Sequence, residues 1–187
     1  MAEHICPVWV GYLLANPVRK LLQNPKKVLG PYVTEGMKVL DIGCAMGFFS
    51  LPLAKMVGDN GKVICVDIQE KMLRSLERRA QKAGLSARIE TRVCHADSLG
   101  LEDLKQQIDF ALASAVVHEV PDVSRFFSQI CSALRPAGRL LVTEPKGHAS
   151  QKAFQTTVSV AEETGFRVID EPQIGRSRVV LLEKPKR

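Results

Sequence analysis

The side chains with the clearest chemical use follow apolar runs, where an acid or a glycine-bearing loop comes directly after a predicted strand. The stretch VLDIGCAMGFFSLPLA ends its apolar run in Asp41 and continues as the loop GCAMG over residues 43–47. Glycines let backbone N–H groups approach a ligand closely, and these groups, with a helix N-terminus, favour a carboxylate or a phosphate. The stretch therefore predicts a loop that binds an anionic cofactor.

The spacing within this loop distinguishes the classes of nucleotide cofactor. The dinucleotide fingerprint G-x-G-x-x-G, started at Gly43, would place its other glycines at the positions of Ala45 and Phe48. The chain has no G-x-x-x-x-G-K-[ST] run, the loop of nucleoside triphosphate binders. The observed pattern is D-x-G-x-A-x-G, ending at Gly47, which is a tighter bend than either.

Two further acids follow later predicted strands, Asp67 in VICVDIQ and Asp97 in CHADSL. Each has a structural alternative, because an aspartate in this position often caps the N-terminus of the next helix. Their joint placement favours binding, since open α/β sheets bind ligands along the edge formed by the carboxyl ends of their strands. We therefore expect the acids to share one ligand.

A second group of polar side chains follows the fourth and fifth predicted strands. His118 lies in SAVVHEVPD, and Glu144 and His148 lie in TEPKGH. Because histidine titrates near neutral pH, His118 is the first candidate for a general base, with Glu144 and His148 as further catalytic candidates. The structural alternative is that His118 bonds a loop carbonyl and Glu119 faces water. No paired spacing such as H-x-x-x-H indicates a metal site.

The order of the predicted elements sets the fold class. Predicted strands cover 37–42, 62–67, 88–94, 108–114, 138–144, 166–170 and 177–183. Predicted helices cover 46–57, 69–83, 99–106, 122–134 and 149–164. Strands alternating with helices predict a three-layer α/β/α sandwich around a seven-stranded, mostly parallel sheet. The last two strands have only a short link, so we expect them to form an antiparallel hairpin at one edge.

Length and proline spacing predict the domain organisation. A chain of 187 residues is most simply a single domain, residues 1–187. Within it, we expect a core over residues 36–187 and an N-terminal cap or lid over residues 1–35, which four prolines divide into short pieces. Trp9 and Tyr12 are the candidate aromatic side chains of that cap.

Charge and cysteine spacing limit the partners. The net charge of +6 is dispersed among acids, as in KMLRSLERRAQK, and the chain has one Trp and two Tyr, so a nucleic-acid surface is not indicated. Five cysteines without CxxC spacing predict reduced thiols in a cytoplasmic protein. No apolar run approaches the roughly 18–20 residues that span a bilayer, so no membrane partner is expected.

The chain from about residue 36 to 184 resembles the S-adenosylmethionine-dependent methyltransferases with the seven-stranded Rossmann-like fold. Their first motif is an acid followed by G-x-G-x-G, and DIGCAMG matches it except at Ala45. Asp67 matches the acid at the end of their second strand, and Asp97 matches their adenine-side acid. The run ALRPAGRLLVTEP is similar to their helix, turn and fifth strand, with Ala137 where a second glycine is usual.

The resemblance implies S-adenosylmethionine as cofactor and assigns roles to the acids. Asp41 would lie on the ammonium side, Asp67 would accept the ribose hydroxyls, and Asp97 would accept the adenine amino group. Loop amides would face the carboxylate. The implied cofactor-binding residues are Asp41, Gly43, Cys44, Ala45, Gly47, Asp67, Ile68, Met72, Ala96, Asp97, Ser98 and Ser114.

The resemblance also implies a methyltransferase acting on a small molecule. The motif [DN]-P-P-[YFW], typical of methylases of base or glutamine amino groups, is absent after the fourth strand, where Ser114-Ala-Val-Val stands. Three alternatives stay open: an RNA-modifying methyltransferase, a non-catalytic S-adenosylmethionine-binding module and an NAD enzyme. The sequence does not identify the acceptor atom or the oligomeric state.

Overall fold

The computed structural model describes residues 24–186. Its helices are α1 (Pro25–Leu29), α2 (Ser50–Met56), α3 (Glu70–Lys82), α4 (Val123–Ala133) and α5 (Gln151–Glu163). Its strands are β1 (Lys38–Ile42), β2 (Lys62–Asp67), β3 (Ile89–Val93), β4 (Ile108–Ser114), β5 (Leu134–Pro145), β6 (Arg167–Asp170) and β7 (Ser177–Glu183). Trp9, Tyr12 and most of the predicted cap lie outside the described residues.

The seven strands form one sheet in the order β3-β2-β1-β4-β5-β7-β6. β2 pairs in parallel with β1 and with β3, and β5 pairs in parallel with β4. β7 lies antiparallel between β5 and β6. This order confirms the predicted fold class, including the antiparallel C-terminal pair at one edge.

The described chain divides into two compact units, one ending at Val93 and one beginning at Cys94. In the first unit, β1 and β2 are buried at every position after their first lysine, as expected for strands of a parallel sheet. α3 buries the stripe formed by Met72, Leu76 and Ala80, which recur every fourth residue. The prediction of a single domain over residues 1–187 stays a prediction.

In the second unit, helix α4 precedes β5 and helix α5 follows it. Both helices have a side-chain cap at the N-terminus. Asp122 accepts a hydrogen bond from the amide of Arg125 at the start of α4, and Ser150 accepts one from Ala153 at the start of α5. β7 pairs with β5 from Arg139 to Pro145 without interruption. These caps and this ladder fix the segments that carry His118, Glu144 and His148.

Three predicted elements differ from the structure by three residues or more, and each has a residue with positive φ near the changed boundary. The predicted helix 99–106 is only the short 3-10 turn Glu102–Leu104, because Gly100 and Gln106 hold φ values of 64° and 56°. The predicted helix 46–57 begins at Ser50, since Gly47 has a φ of 82°. β5 begins at Leu134, which pairs with Ile108, and Ala137 bends it at a φ of 61°. Left-handed residues interrupt regular helices and strands.

In the described part of the chain, no helix is long and apolar enough to cross a membrane.

Candidate functional site

Asp67, at the carboxyl end of β2, joins the glycine-bearing loop to the start of α3. One carboxylate oxygen accepts a hydrogen bond from the Ala45 amide at 2.9 Å, and the other accepts one from the Gln69 amide at 2.8 Å. Asp67 therefore does not cap α3, because the N-cap position of that helix is Gln69, whose side chain makes no capping hydrogen bond. Asp67 instead bonds the amide of Gln69 just before the helix. Each carboxylate oxygen has two acceptor positions, so Asp67 keeps capacity for further donors. Burial raises its pKa, and the two amides oppose that shift.

The loop takes its tight bend through three residues with positive φ: Gly43 at 67°, Ala45 at 46° and Gly47 at 82°. A Cβ atom added at Gly47 would lie 2.3 Å from the Leu76 side chain of α3, so that side chain would have to shift to admit one. Ala45 has a methyl group in a left-handed conformation, which costs about 1–2 kcal/mol for a non-glycine residue. The departure from the family pattern at Ala45 is therefore a local strain.

The amides of Gly43, Cys44, Ala45 and Gly47 already have partners within the protein. Gly43 and Cys44 both donate to the carbonyl oxygen of Val66, at 2.9 and 3.2 Å. Gly47 donates to the Cys44 carbonyl at 2.9 Å. Helix α2, seven residues long, begins only after the loop. The geometry therefore favours Asp67 over these amides as the polar group that the loop region offers to a ligand.

Asp41, at the end of β1, is buried beside the loop with 2% of its surface exposed. The Ser50 hydroxyl donates a hydrogen bond of 2.5 Å to its carboxylate. Burial raises the pKa of Asp41 to about 7, the Ser50 hydrogen bond opposes this, and the negative charge of Asp67 adds to it. Since such an acid is only partly ionised at neutral pH, a nearby cation would favour its charged form.

Ile68 and Met72 occupy different environments, although both were predicted to contact the cofactor. Ile68, directly after Asp67, is one of the exposed large apolar side chains, with 39% of its surface accessible. Met72 is 2% exposed and packs in the core of the first unit. Ile68 therefore offers an apolar surface next to a carboxylate, whereas the role of Met72 stays a prediction.

The predicted adenine-side residues Ala96, Asp97 and Ser98 line one surface pocket of the second unit, and its other lining residues are Leu99, Asp122, Arg125, Phe126 and Gln129. Asp97 is exposed, and its carboxylate has no partner among residues 24–186. An exposed, unpartnered carboxylate is suited to accept from an amino group of a ligand.

Gln129 of α4 holds the loop of this pocket and was not predicted from the sequence. Its side-chain oxygen accepts a hydrogen bond of 2.8 Å from the Leu99 amide, and its nitrogen donates to the Asp97 carbonyl at 3.5 Å. The one available sequence signal was its spacing, because it follows the buried Phe126 by three residues on an amphipathic helix. Ser114, at the end of β4, is half-buried and accepts a hydrogen bond of 2.9 Å from the Thr143 hydroxyl.

His118 and Glu144 form the shortest polar contact between side chains of the predicted catalytic group. His118 Nδ1 lies 2.7 Å from Glu144 Oε2. Glu144 is 2% exposed, and its other oxygen accepts a hydrogen bond of 2.8 Å from the Val117 amide. The partner of His118 Nδ1 is thus a buried carboxylate and not the loop carbonyl of the structural alternative.

The second ring nitrogen of His118, Nε2, lies near two more titratable groups. Its Nε2 atom lies 3.2 Å from His148 Nδ1 and 3.7 Å from Glu119 Oε1. The hydrogen bond to Glu144 raises the pKa of His118, burial opposes it, and the charges of Glu144 and Glu119 add to the rise. The structure therefore brings all three predicted catalytic residues together in one cluster.

Metal-ligating side chains and cysteine thiols are two further kinds of reactive group. Within residues 24–186, no group of three or more His, Cys, Asp and Glu side chains is arranged to hold a metal ion. The cysteines that the structure describes are free thiols, and burial raises the pKa of Cys44 in the loop.

The family model described as a methyltransferase domain matches residues 33–174 of this chain. The chain belongs to the methyltransferase domain family. A crystal structure of a SAM-dependent methyltransferase from Aquifex aeolicus aligns with this methyltransferase domain at a TM-score of 0.86 and 25% identity, over 96% of this chain and 100% of that one. The predicted family and fold are therefore confirmed.

Curated relatives share part of their length with this methyltransferase domain. The human mitochondrial ubiquinone biosynthesis O-methyltransferase is 32% identical over 109 residues, which are 58% of this chain and 28% of the relative. The ubiquinone/menaquinone biosynthesis C-methyltransferase of Cronobacter sakazakii is 27% identical over 143 residues, 76% of this chain and 54% of the relative. The chain thus spans about half or less of the length of these relatives.

Proposed function

We propose that this protein is an S-adenosylmethionine-dependent methyltransferase that methylates a small molecule bearing an ionisable hydroxyl group. The observation that carries the proposal is the contact of 2.7 Å between His118 and the buried Glu144, in a chain of the methyltransferase domain family. Such a pair can hold a proton taken from an acceptor. A module that only bound the cofactor would not need it.

The residues of the loop region fit the cofactor. Asp67 keeps acceptor capacity for the ribose hydroxyls, Ile68 offers apolar surface beside it, and Asp41 gains charge near a cation. When bound, S-adenosylmethionine would supply a methyl group, and both electrons of the broken C–S bond would stay on the sulfur. The proposed binding residues remain Asp41, Gly43, Cys44, Ala45, Gly47, Asp67, Ile68, Met72, Ala96, Asp97, Ser98 and Ser114.

Glu144 positions His118 and stabilises its charged form. A carboxylate only accepts hydrogen bonds, so Nδ1 of His118 carries the proton in this contact and Nε2 is the basic atom of the neutral ring. A proton that reaches His118 creates an imidazolium next to the buried carboxylate. General-base assistance of this kind contributes roughly 10²- to 10⁴-fold to a rate.

The names of the relatives give the first acceptor class to test. One is named an O-methyltransferase and another a C-methyltransferase, and both belong to ubiquinone biosynthesis by name. Methylation of a hydroxyl oxygen, or of a ring carbon activated by a hydroxyl, removes one proton in either case. We therefore propose a hydroxylated aromatic small molecule as acceptor.

The experiment uses the full chain with methyl-tritiated S-adenosylmethionine and a cell extract, followed by separation of small molecules, RNA and protein. We expect label in a small hydroxylated product, and a loss of about 10²-fold or more in His118→Asn. Lys152→Ala, an exposed change on α5, is the matched control and keeps full transfer. Label confined to RNA, with binding that weakens steeply in salt, would instead support the nucleic-acid alternative. Cofactor binding without transfer to any fraction would contradict the proposal.

We also propose a cytoplasmic location, which the absence of CxxC spacing among the cysteines supports. Fractionation of cells that express the tagged chain checks it, and enrichment in an organelle would contradict it.

A further inference from the structure

We propose that the acceptor proton enters the His118 cluster at Nε2 of His148 and ends on Nε2 of His118, so that the two rings form a proton relay for a neutral hydroxyl acceptor. This inference rests on the proposed function. It differs from direct proton removal by His118, because both nitrogens of that ring already have partners within hydrogen-bond distance.

Glu144 lies at the inner end of the cluster. Glu144 Oε1 accepts from the Val117 amide at 2.8 Å, and Oε2 lies 2.7 Å from His118 Nδ1. A buried carboxylate at that distance requires a proton between the two atoms, and it places that proton on Nδ1. Neutral His118 therefore has its lone pair on Nε2.

The contact between the two rings sets the tautomer of His148. His118 Nε2 and His148 Nδ1 lie 3.2 Å apart, and two ring nitrogens at that distance share one proton. Since Nε2 of neutral His118 has the lone pair, Nδ1 of His148 is the donor. The lone pair of His148 then lies on its Nε2 atom, and the ring of His148 is exposed. The accessible basic atom of the cluster is Nε2 of His148.

The proton balance of the relay is complete without another reactant. The acceptor O–H bond breaks, its proton goes to His148 Nε2, and the oxygen keeps the electron pair for its bond to the methyl carbon. The proton on His148 Nδ1 moves to His118 Nε2. His148 ends neutral with the opposite tautomer, and His118 ends as an imidazolium with Glu144 as its partner.

The charges around the rings favour one added proton and oppose a second. Glu144 from β5 and Glu119 from the 3-10 turn Val117–Glu119 both face His118, at 2.7 and 3.7 Å. His148, from the loop after β5, also faces it. A second proton would put like charges on rings whose centroids are 4.9 Å apart, which is unfavourable.

The direct test follows the ring nitrogens of the full ¹⁵N-labelled protein by NMR as the pH is lowered, with His118→Asn and His148→Asn to assign the signals. We expect the first proton to make His118 doubly protonated and, in the same step, to switch His148 from the Nδ1–H to the Nε2–H tautomer. Two rings that share no proton would not produce this switch. A His148 ring that is Nε2–H at every pH above that step would overturn the relay. This readout needs no acceptor.

A kinetic arm separates the relay from the function on which it rests. His148→Asn keeps an amide N–H that can donate to His118, but it cannot pass a proton. We expect it to lower methyl transfer from tritiated S-adenosylmethionine by about 10²-fold, with unchanged affinity for S-adenosylhomocysteine. Full transfer in His148→Asn, with loss in His118→Asn, would overturn the relay and leave the methyltransferase intact. Wild-type protein without any transfer would contradict the function, while the NMR switch would still decide the relay.

Discussion

Ala45 occupies a left-handed backbone conformation inside the loop that Asp67 holds. Its φ is 46°, and its amide donates a hydrogen bond of 2.9 Å to the Asp67 carboxylate. The loop therefore keeps its bend although the residue is not glycine. The strain is therefore local, and the contact that positions Asp67 survives it.

We expect Ala45→Gly to raise the free energy of unfolding by about 1 kcal/mol. Glycine removes a left-handed penalty of about 1–2 kcal/mol from the folded state. Its greater conformational freedom in the unfolded chain lowers the stability by about 0.4–1 kcal/mol, which offsets part of that gain. Urea denaturation measures the change. Ala54→Gly is the control, because Ala54 lies within helix α2 and should lose stability instead. A destabilised Ala45→Gly would show that its methyl group contributes packing that outweighs the strain.

The sequence predicted the elements with a clear hydrophobic period. It did not predict boundaries that are set by a single residue with positive φ. β2 and β7 have the predicted bounds because they are continuous apolar, β-branched runs. The predicted helix over 99–106 failed because Gly100 and Gln106 adopt positive φ, which composition does not reveal for a glutamine.

The acids of the candidate site were predictable for a related reason. Asp67 and Asp97 come at or just after the ends of predicted strands, and this pattern is visible in neighbouring residues of the sequence alone. The contact of Gln129 with Leu99 joins residues 30 positions apart, so it depends on how α4 packs. The contact of 3.2 Å between His118 and His148 likewise depends on two loops, and only coordinates define it.

Helix α3 limits which residue the loop can have at position 47. We expect Gly47→Ala to lower the free energy of unfolding by about 3 kcal/mol, through positive φ and overlap with Leu76. Gly84→Ala is the matched control: Gly84 also has positive φ, at 68°, but has nothing within 4 Å of an added Cβ. It should lose only about 1 kcal/mol.

A double-mutant cycle with Leu76→Ala measures the overlap itself by urea denaturation. The double variant should be less destabilised than the sum of the two single changes, since the smaller side chain makes room for the new methyl group. Additive losses would show that α3 does not press against the loop.

The stability of the whole molecule should depend on pH through Asp41. Its pKa rises from 3.8 to about 7 on folding, so between these values the folded state holds a proton that the unfolded state has lost. The free energy of unfolding therefore falls as pH rises from about 4 to 7, by on the order of 3 kcal/mol from this group.

Asp41→Asn removes this dependence. We expect the variant to match the wild type near pH 4 and to become the more stable of the two by pH 8, as measured by urea denaturation across that range. A constant difference between the two proteins at all pH values would show that Asp41 is already ionised in the folded state at low pH.

Binding of S-adenosylhomocysteine, followed by titration calorimetry, tests most directly whether the acid at the end of β2 holds the cofactor. We expect the wild type to bind, and Asp67→Asn to bind at least about 10-fold more weakly, since it loses hydrogen bonds to a charged acceptor. Asp59→Asn, at a carboxylate with 88% of its side chain exposed, is the control and should bind as the wild type does. Equal affinity in Asp67→Asn, or no binding by the wild type at millimolar ligand, would contradict the proposed site.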